Sequence, residues 1–207
     1  MRPIDTTIRR GMSVFLATAL LASGLVAGGG HLFANGPEGA SDRNEHRDGR
    51  SSARVKRGFE IAPVQLNLRG KDRDLVGLGS YLVNAVGGCN DCHTSPPYAP
   101  GGDPHLGQTK VVNGTSYLAG GQAFGPFTSR NLTPDGTGRP AGLTLTEFIH
   151  IMRTGEDDDR EPPNVPSLEH DLLQVMPWPV YQDMTDRDLR AIYEYLRAIP
   201  HAEPPTN

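Results

Sequence analysis

The run Cys89-Asn90-Asp91-Cys92-His93 places three chemically capable side chains within five positions. Two thiols separated by two residues and followed at once by an imidazole form the attachment sequence of a c-type haem. In that chemistry both thiols become thioethers to the porphyrin vinyl groups, and His93 reaches the iron from the proximal side. Other uses of the same residues fare worse. A structural zinc site wants about four ligands, and the chain of 207 residues has only 2 cysteines. A thioredoxin-like pair needs a preceding strand and makes no demand for a histidine directly after it. A disulfide across two intervening residues would be strained, given the separation and dihedral such bonds prefer. One covalently bound haem c, on Cys89 and Cys92 with His93 on the iron, is the expectation.

Iron held by one histidine keeps an open sixth position, and the ligand there decides between carrying electrons and acting on a small molecule. Met152 falls on the apolar face of a predicted helix, and Met184 directly precedes a helix cap. Met176 differs. It lies in Val175-Met176-Pro177-Trp178-Pro179, where the prolines stiffen an extended segment that could hold a thioether toward the iron. His93 and Met176 are therefore the expected axial pair. Partly buried haem carboxylates need donors, and Arg130 and Asn131 are the candidates for a propionate, with Trp178 for the haem edge or a propionate. A metal-bound histidine also hands its other ring N–H to an acceptor. A carbonyl between Pro100 and Pro104, in the proline-rich loop after the motif, is expected to take it.

Three helices must position these groups. Apolar residues Leu75, Leu78, Leu82 and Val86 recur at spacings of three and four, predicting a helix over 71–86 that ends at Gly87-Gly88. Gly79 lies on that stripe, which predicts a close approach by another helix. A second helix is predicted over 145–154, with Thr144 and Glu147 in capping-box relation and Gly155 as its stop. The last begins after Thr185, with Leu189, Ile192, Tyr193, Leu196 and Ile199 on one face and Pro200 near its end. Its apolar face is the natural partner for the Gly79 stripe. The residues from Leu106 to Arg139 are rich in glycine turns and suit short strands or a loop, a lid over one haem edge. The acidic run Glu156 to Asp159 lacks the spacing of a calcium loop and is expected to be solvated.

Before the first helix the chain divides into three. Residues 1–34 carry Arg9-Arg10, an apolar run from Met12 to Ala27 and small residues up to Ala34, the pattern of an export signal or an uncleaved N-terminal anchor. Residues 35–57 are polar and charged without apolar period, a flexible linker, and 58–70 read as an extended arm. The domain proper is 71–203. It holds 10 basic and 18 acidic residues, a net charge of −8. Nucleic acid is thus excluded as a partner, and a protein with a basic docking face would gain encounter rate. Membrane contact is expected only if the N-terminal segment stays uncleaved.

Taken in order, Cys89 to His93, Arg130 to Asp135, Met176-Pro177-Trp178-Pro179 and Met184-Thr185-Asp186 with Leu189 to Tyr195 resemble the class I cytochrome c family. Within it they look most like the cytochrome c domains associated with bacterial periplasmic dehydrogenases. The resemblance covers roughly Gly70 to Pro200. It implies an all-α cytochrome c fold around one haem, with Met176 in the axial role and Gly79 at the crossing of the first and last helices. The interval from His93 to Met176 is long for a compact member, which marks 106–139 as a loop-rich insertion. The function implied is a periplasmic carrier of single electrons between a donor dehydrogenase and a respiratory acceptor, rather than an enzyme. The competing reading is a haem-based sensor or peroxidase-like enzyme with a displaceable sixth ligand, for which His150 or His170 would be the distal group.

Overall fold

The computed structural model describes residues 52–157 and 172–206. The expected export segment 1–34, most of the expected linker and His170 lie outside them. The elements are α1 (residues 52–61), α2 (Arg73–Tyr81), α3 (Cys89–His93), a two-stranded hairpin of β1 (Ala123–Phe124) and β2 (Phe127–Thr128), then α4 (Leu145–Thr154), α5 (Trp178–Tyr181) and α6 (Asp186–Leu196). The described residues are thus mostly helical with one small antiparallel sheet, where an all-α fold was expected.

The pair α2 and α6 forms the centre. Asp72 caps α2 by accepting from the backbone N–H groups of Asp74 and Leu75, and Thr185 caps α6 through the N–H of Asp188. Val76, Leu78, Leu189, Tyr195 and Leu196 are among the side chains this packing removes from water. The predicted close approach falls at Gly79, where a Cβ would lie 1.9 Å from the carbonyl oxygen of Ala191 and 2.7 Å from Cβ of Tyr195. No larger residue fits there without parting the helices. The predicted helix over 71–86 is regular only as far as Tyr81. Leu82–Val86 form a π-helical turn, and Gly88 then enters the left-handed region at φ 62°, which a glycine adopts without strain.

Residues 52–61 are a correction to the linker and arm. They form a helix, not a tether running into an extended arm, and Gly58 is buried against α2. A Cβ at Gly58 would lie 1.8 Å from the carbonyl oxygen of Gly77, and Ser80 Oγ donates to the Gly58 carbonyl at 2.7 Å. Val55 and Phe59, one turn apart, rest on the core, and Arg73 lies 4.5 Å over the Phe59 ring. From residue 62 to Gly70 the chain has neither helix nor strand, and half-buried Val64, Leu66 and Leu68 lie against the core.

The second predicted helix is α4 with the expected bounds: Thr144 and Glu147 exchange both capping-box bonds, and Gly155 ends it. Phe148 and Met152 face the core, and Tyr193 of α6 donates to the Leu143 carbonyl at 2.9 Å. The core assignment of Met152 holds.

Candidate functional site

The helix α3 carries the two thiols and the imidazole, and its approach is tightly drawn. A Cβ at Gly87 would lie 3.3 Å from Cys89 Sγ, and Tyr181 of α5 donates to the Gly87 carbonyl at 3.0 Å. Cys89 and Cys92 are both free thiols. Burial, with repulsion from Cys92 and Asp91, pushes the Cys89 thiol up to about 12, and burial with Asp91 raises Cys92 as well. These are the reverse of the depressed thiols that dithiol exchange uses. Nor do Cys89, Cys92 and His93 converge on a shared point. Among the described residues no three His, Cys, Asp or Glu side chains are gathered so as to hold a metal ion. Two separated, protonated thiols beside one imidazole suit bonding to the edge of a macrocycle.

His93 is oriented from the far side of the chain. Its Nδ1 lies 2.9 Å from the carbonyl oxygen of Arg130 and must donate to it, which leaves Nε2 as the nitrogen with a free lone pair. Burial pushes the imidazole below its ordinary value, against a smaller opposing effect of that carbonyl. The ring is therefore neutral at pH about 7, the form that binds a metal. The acceptor corrects the expectation of a carbonyl between Pro100 and Pro104. That loop serves another purpose: Asn90 Nδ2 donates to the Pro97 carbonyl at 3.1 Å and Tyr98 donates to Asp91 at 2.7 Å, bracing the residues between the thiols.

What brings Arg130 to His93 is the stretch expected to be an insertion. Pairing of Phe124 with Phe127 turns the chain over Gly125-Pro126, and the bonds Ser129 N–H to Gln122 (2.9 Å) and Gly121 N–H to Ser129 (3.0 Å) continue the hairpin toward α3. There the Gly120 N–H donates to the His93 carbonyl at 2.7 Å and the Leu118 N–H to Thr94 Oγ1 at 2.9 Å. With its amide turned to satisfy both groups, Gln122 donates to the carbonyls of Asp91 and Thr94 at 3.1 Å each. Leu118 is fully buried at φ 56°, a strained conformation for a branched side chain, costing about 1 kcal/mol, held because both its backbone groups are engaged. The stretch is a strap on the C-terminal end of α3.

The remaining candidates are placed as follows. Arg130 Nη1 donates to both carboxylate oxygens of Asp157 at 3.0 and 2.9 Å, and Asn131 donates to the Ala202 carbonyl while accepting from the Thr133 N–H and hydroxyl. Their hydrogen bonds in the structure thus go to the chain itself. Asp157 is buried, which corrects the reading of Glu156 to Asp159 as solvated; 158 and 159 lie outside the described residues. Met176 is half-buried against the core, its carbonyl accepting from the Trp178 N–H at 2.8 Å, and Trp178 Nε1 donates to the Leu173 carbonyl at 3.2 Å. His150 stands half-exposed on α4, its Nε2 3.1 Å from Glu156.

One further group joins the two sides of the motif. Tyr117 donates to Asn84 Oδ1 at 2.6 Å and meets the Tyr195 hydroxyl at 3.0 Å, while Asn84 Nδ2 also reaches Ser80 and Tyr195. Burial raises both phenols first of all, and proximity to Cys89 raises them further. Nothing in the residue types near Cys89 pointed to this network. Tyr117 lies 33 positions from Asn84 and Tyr195 lies 111.

Against this geometry stand the relatives. The chain is 29% identical over 127 residues to the cytochrome c subunit of the quinone alcohol dehydrogenase of Gluconacetobacter polyoxogenes, covering 60% of this chain and 22% of that one. It is 29% identical over 121 residues to the cytochrome c subunit of gluconate 2-dehydrogenase from Pantoea cypripedii, and 30% over 128 to the fructose dehydrogenase cytochrome subunit of Gluconobacter japonicus. These cover 58% and 60% of this chain, and 22% and 21% of the relatives. The chain is related to cytochrome c subunits of dehydrogenases. It spans about a fifth of the length of these curated relatives. No family model matches it.

Proposed function

We propose that the chain is an exported electron-transfer protein of the cytochrome c class, carrying one haem c on Cys89 and Cys92 with His93 and Met176 as axial ligands. The observation that carries this reading is the His93 Nδ1 bond to the Arg130 carbonyl beside two free, protonated thiols. It fixes the tautomer with Nε2 available, as metal-binding histidines require. The haem would supply reversible one-electron exchange, and His/Met ligation raises its potential. The protein's own residues do the rest: the strap fixes the imidazole plane, the core beneath α2 and α6 excludes water, and the net charge of −8 over residues 71–203 favours a partner with a basic face.

The names of the relatives support a dehydrogenase as donor and a role as carrier or electron-transfer subunit rather than as catalyst. Arg130 and Asn131 enter as supports of the strap, with any contact to a propionate left to the remaining guanidinium nitrogens; Trp178 braces the segment carrying Met176. Among the described residues no helix is long and apolar enough to cross a membrane. Export rests on the pattern of residues 1–34.

The test is expression in a bacterium that attaches haem in its periplasm. The intact mass should rise by one haem, Cys89→Ala and Cys92→Ala should each disrupt normal attachment, and the ferric protein should show the weak band near the red edge that thioether ligation produces. Absence of covalent haem would overturn the reading. Rapid and complete carbon monoxide binding to the reduced protein at neutral pH would instead favour the sensor or peroxidase class, for which His150, bonded to Glu156 at the surface, offers no support.

A further inference from the structure

The proposed axial residues stand on segments far apart in sequence, and a short path of contacts joins their supports. On the proximal side Arg130 does two things: its carbonyl takes the His93 N–H at 2.9 Å, and its guanidinium holds Asp157 through both oxygens. The Asp157 side chain is 5% exposed, and among the described residues Arg130 is its one hydrogen-bond partner. On the other side Glu156 pairs with Leu172 as an antiparallel bridge, and the Leu173 N–H donates to the Gly155 carbonyl at 2.8 Å. The Trp178 indole then closes over this junction. It bonds the Leu173 carbonyl, and a Cβ at Gly155 would lie 2.4 Å from its Nε1. Met176 sits between Leu173 and Trp178.

We infer that the Arg130–Asp157 ion pair is a positioning pair that ties the support of His93 to the segment carrying Met176, and so sets how firmly the two can act on one iron. This rests on the axial reading given above. The physical reason is the burial of Asp157. A carboxylate removed from water needs its countercharge, so the segment 155–157 and its bridged partner 172–173 stay where Arg130 is. Arg130 in turn stays where His93 holds its carbonyl. Without the pair, the thioether side is anchored through the half-buried Met176 and the α5 turn, while the proximal carbonyl keeps its place through the hairpin.

The experiment uses the haem-loaded full chain and the variants Asp157→Asn, Arg130→Gln and Asp157→Glu. Asp157→Asn keeps the shape and removes the charge; it should retain covalent haem by mass but lose the red-edge band and gain carbon monoxide binding in the reduced state. Arg130→Gln should do the same, and the double variant should be no worse than either single one. Asp157→Glu should keep the band. Fluorescence of Trp178, the chain's single tryptophan, should shift to longer wavelength in Asp157→Asn as the indole leaves Gly155. A red-edge band and carbon monoxide resistance unchanged in both Asp157→Asn and Arg130→Gln overturn the inference while leaving the haem reading intact. A wild-type protein without haem on Cys89 and Cys92 overturns both. Should Asp157→Asn fail to mature, Arg130→Gln alone is scored by the same band: its loss supports the pair, and no change overturns it.

Discussion

Upstream of Cys89 the chain is held by periodic apolar burial, with Val76, Leu78, Leu189 and Leu196 locking α2 to α6 across the Gly79 crossing. Downstream of His93 it is held by single polar bonds: Gly120 to the His93 carbonyl, Leu118 to Thr94, Gln122 to two carbonyls and His93 to Arg130. The two flanks of α3 thus fail in different ways. A packed crossing has many contacts to share a small loss but no room for added volume. A strap of discrete bonds tolerates volume at its surface but loses much when one buried donor goes unpaired.

Gly79→Val should break the upstream flank most severely, lowering stability by about 3 kcal/mol in urea titration as α2 and α6 are forced apart. The downstream counterpart is Thr94→Val, nearly the same shape without the acceptor for the Leu118 N–H. It should cost about 2 kcal/mol, with faster amide exchange confined to 118–132 if the strap is a separable unit. Tyr117→Phe tests the join between flanks. Losing its bond to Asn84 should cost about 1.5 kcal/mol, and a cycle with Tyr195→Phe should show the two to be non-additive. Thr144→Ala removes the capping box of α4, away from both flanks, and about 1 kcal/mol in thermal melts is expected.

The smallest effect concerns His201. Its Nε2 faces Glu203 at 2.8 Å and its Nδ1 the Pro134 carbonyl at 2.9 Å, and these acceptors raise the imidazole above its ordinary value. A raised folded value means that the added stability is fully present below the unfolded value of about 6.5 and fades as pH climbs through the folded one. His201→Gln should therefore remove the fall in melting temperature that sets in as pH climbs past about 6.5, by a fraction of a degree given the exposure of the pair.

Much of the upstream flank was legible in residue types. Apolar residues at spacings of three and four mark α2 and α6, the cap at Thr185 marks the start of α6, and Gly79 on an otherwise apolar stripe marks a crossing. The same logic left Val55 in the linker and read Phe59 into an extended arm, and so missed α1. The downstream flank was legible at its thiols and imidazole but not in what holds them. The acceptor for His93 is a backbone oxygen 37 positions away, and a backbone oxygen has no residue type to announce it. Asp157 was hidden for a different reason: one carboxylate of an acidic run is buried, and composition does not say which.

That the His93 acceptor is a main-chain atom has a consequence for how this protein can vary. Any of the twenty residues at position 130 would still present a carbonyl, so a side-chain scan there reads only the guanidinium's bond to Asp157 and is silent on the imidazole's tautomer. The bond yields only to changes in the path of the backbone, through insertion, deletion or a proline that bends it. Drift in such a sequence would then leave the chain length between Leu118 and Leu132 fixed.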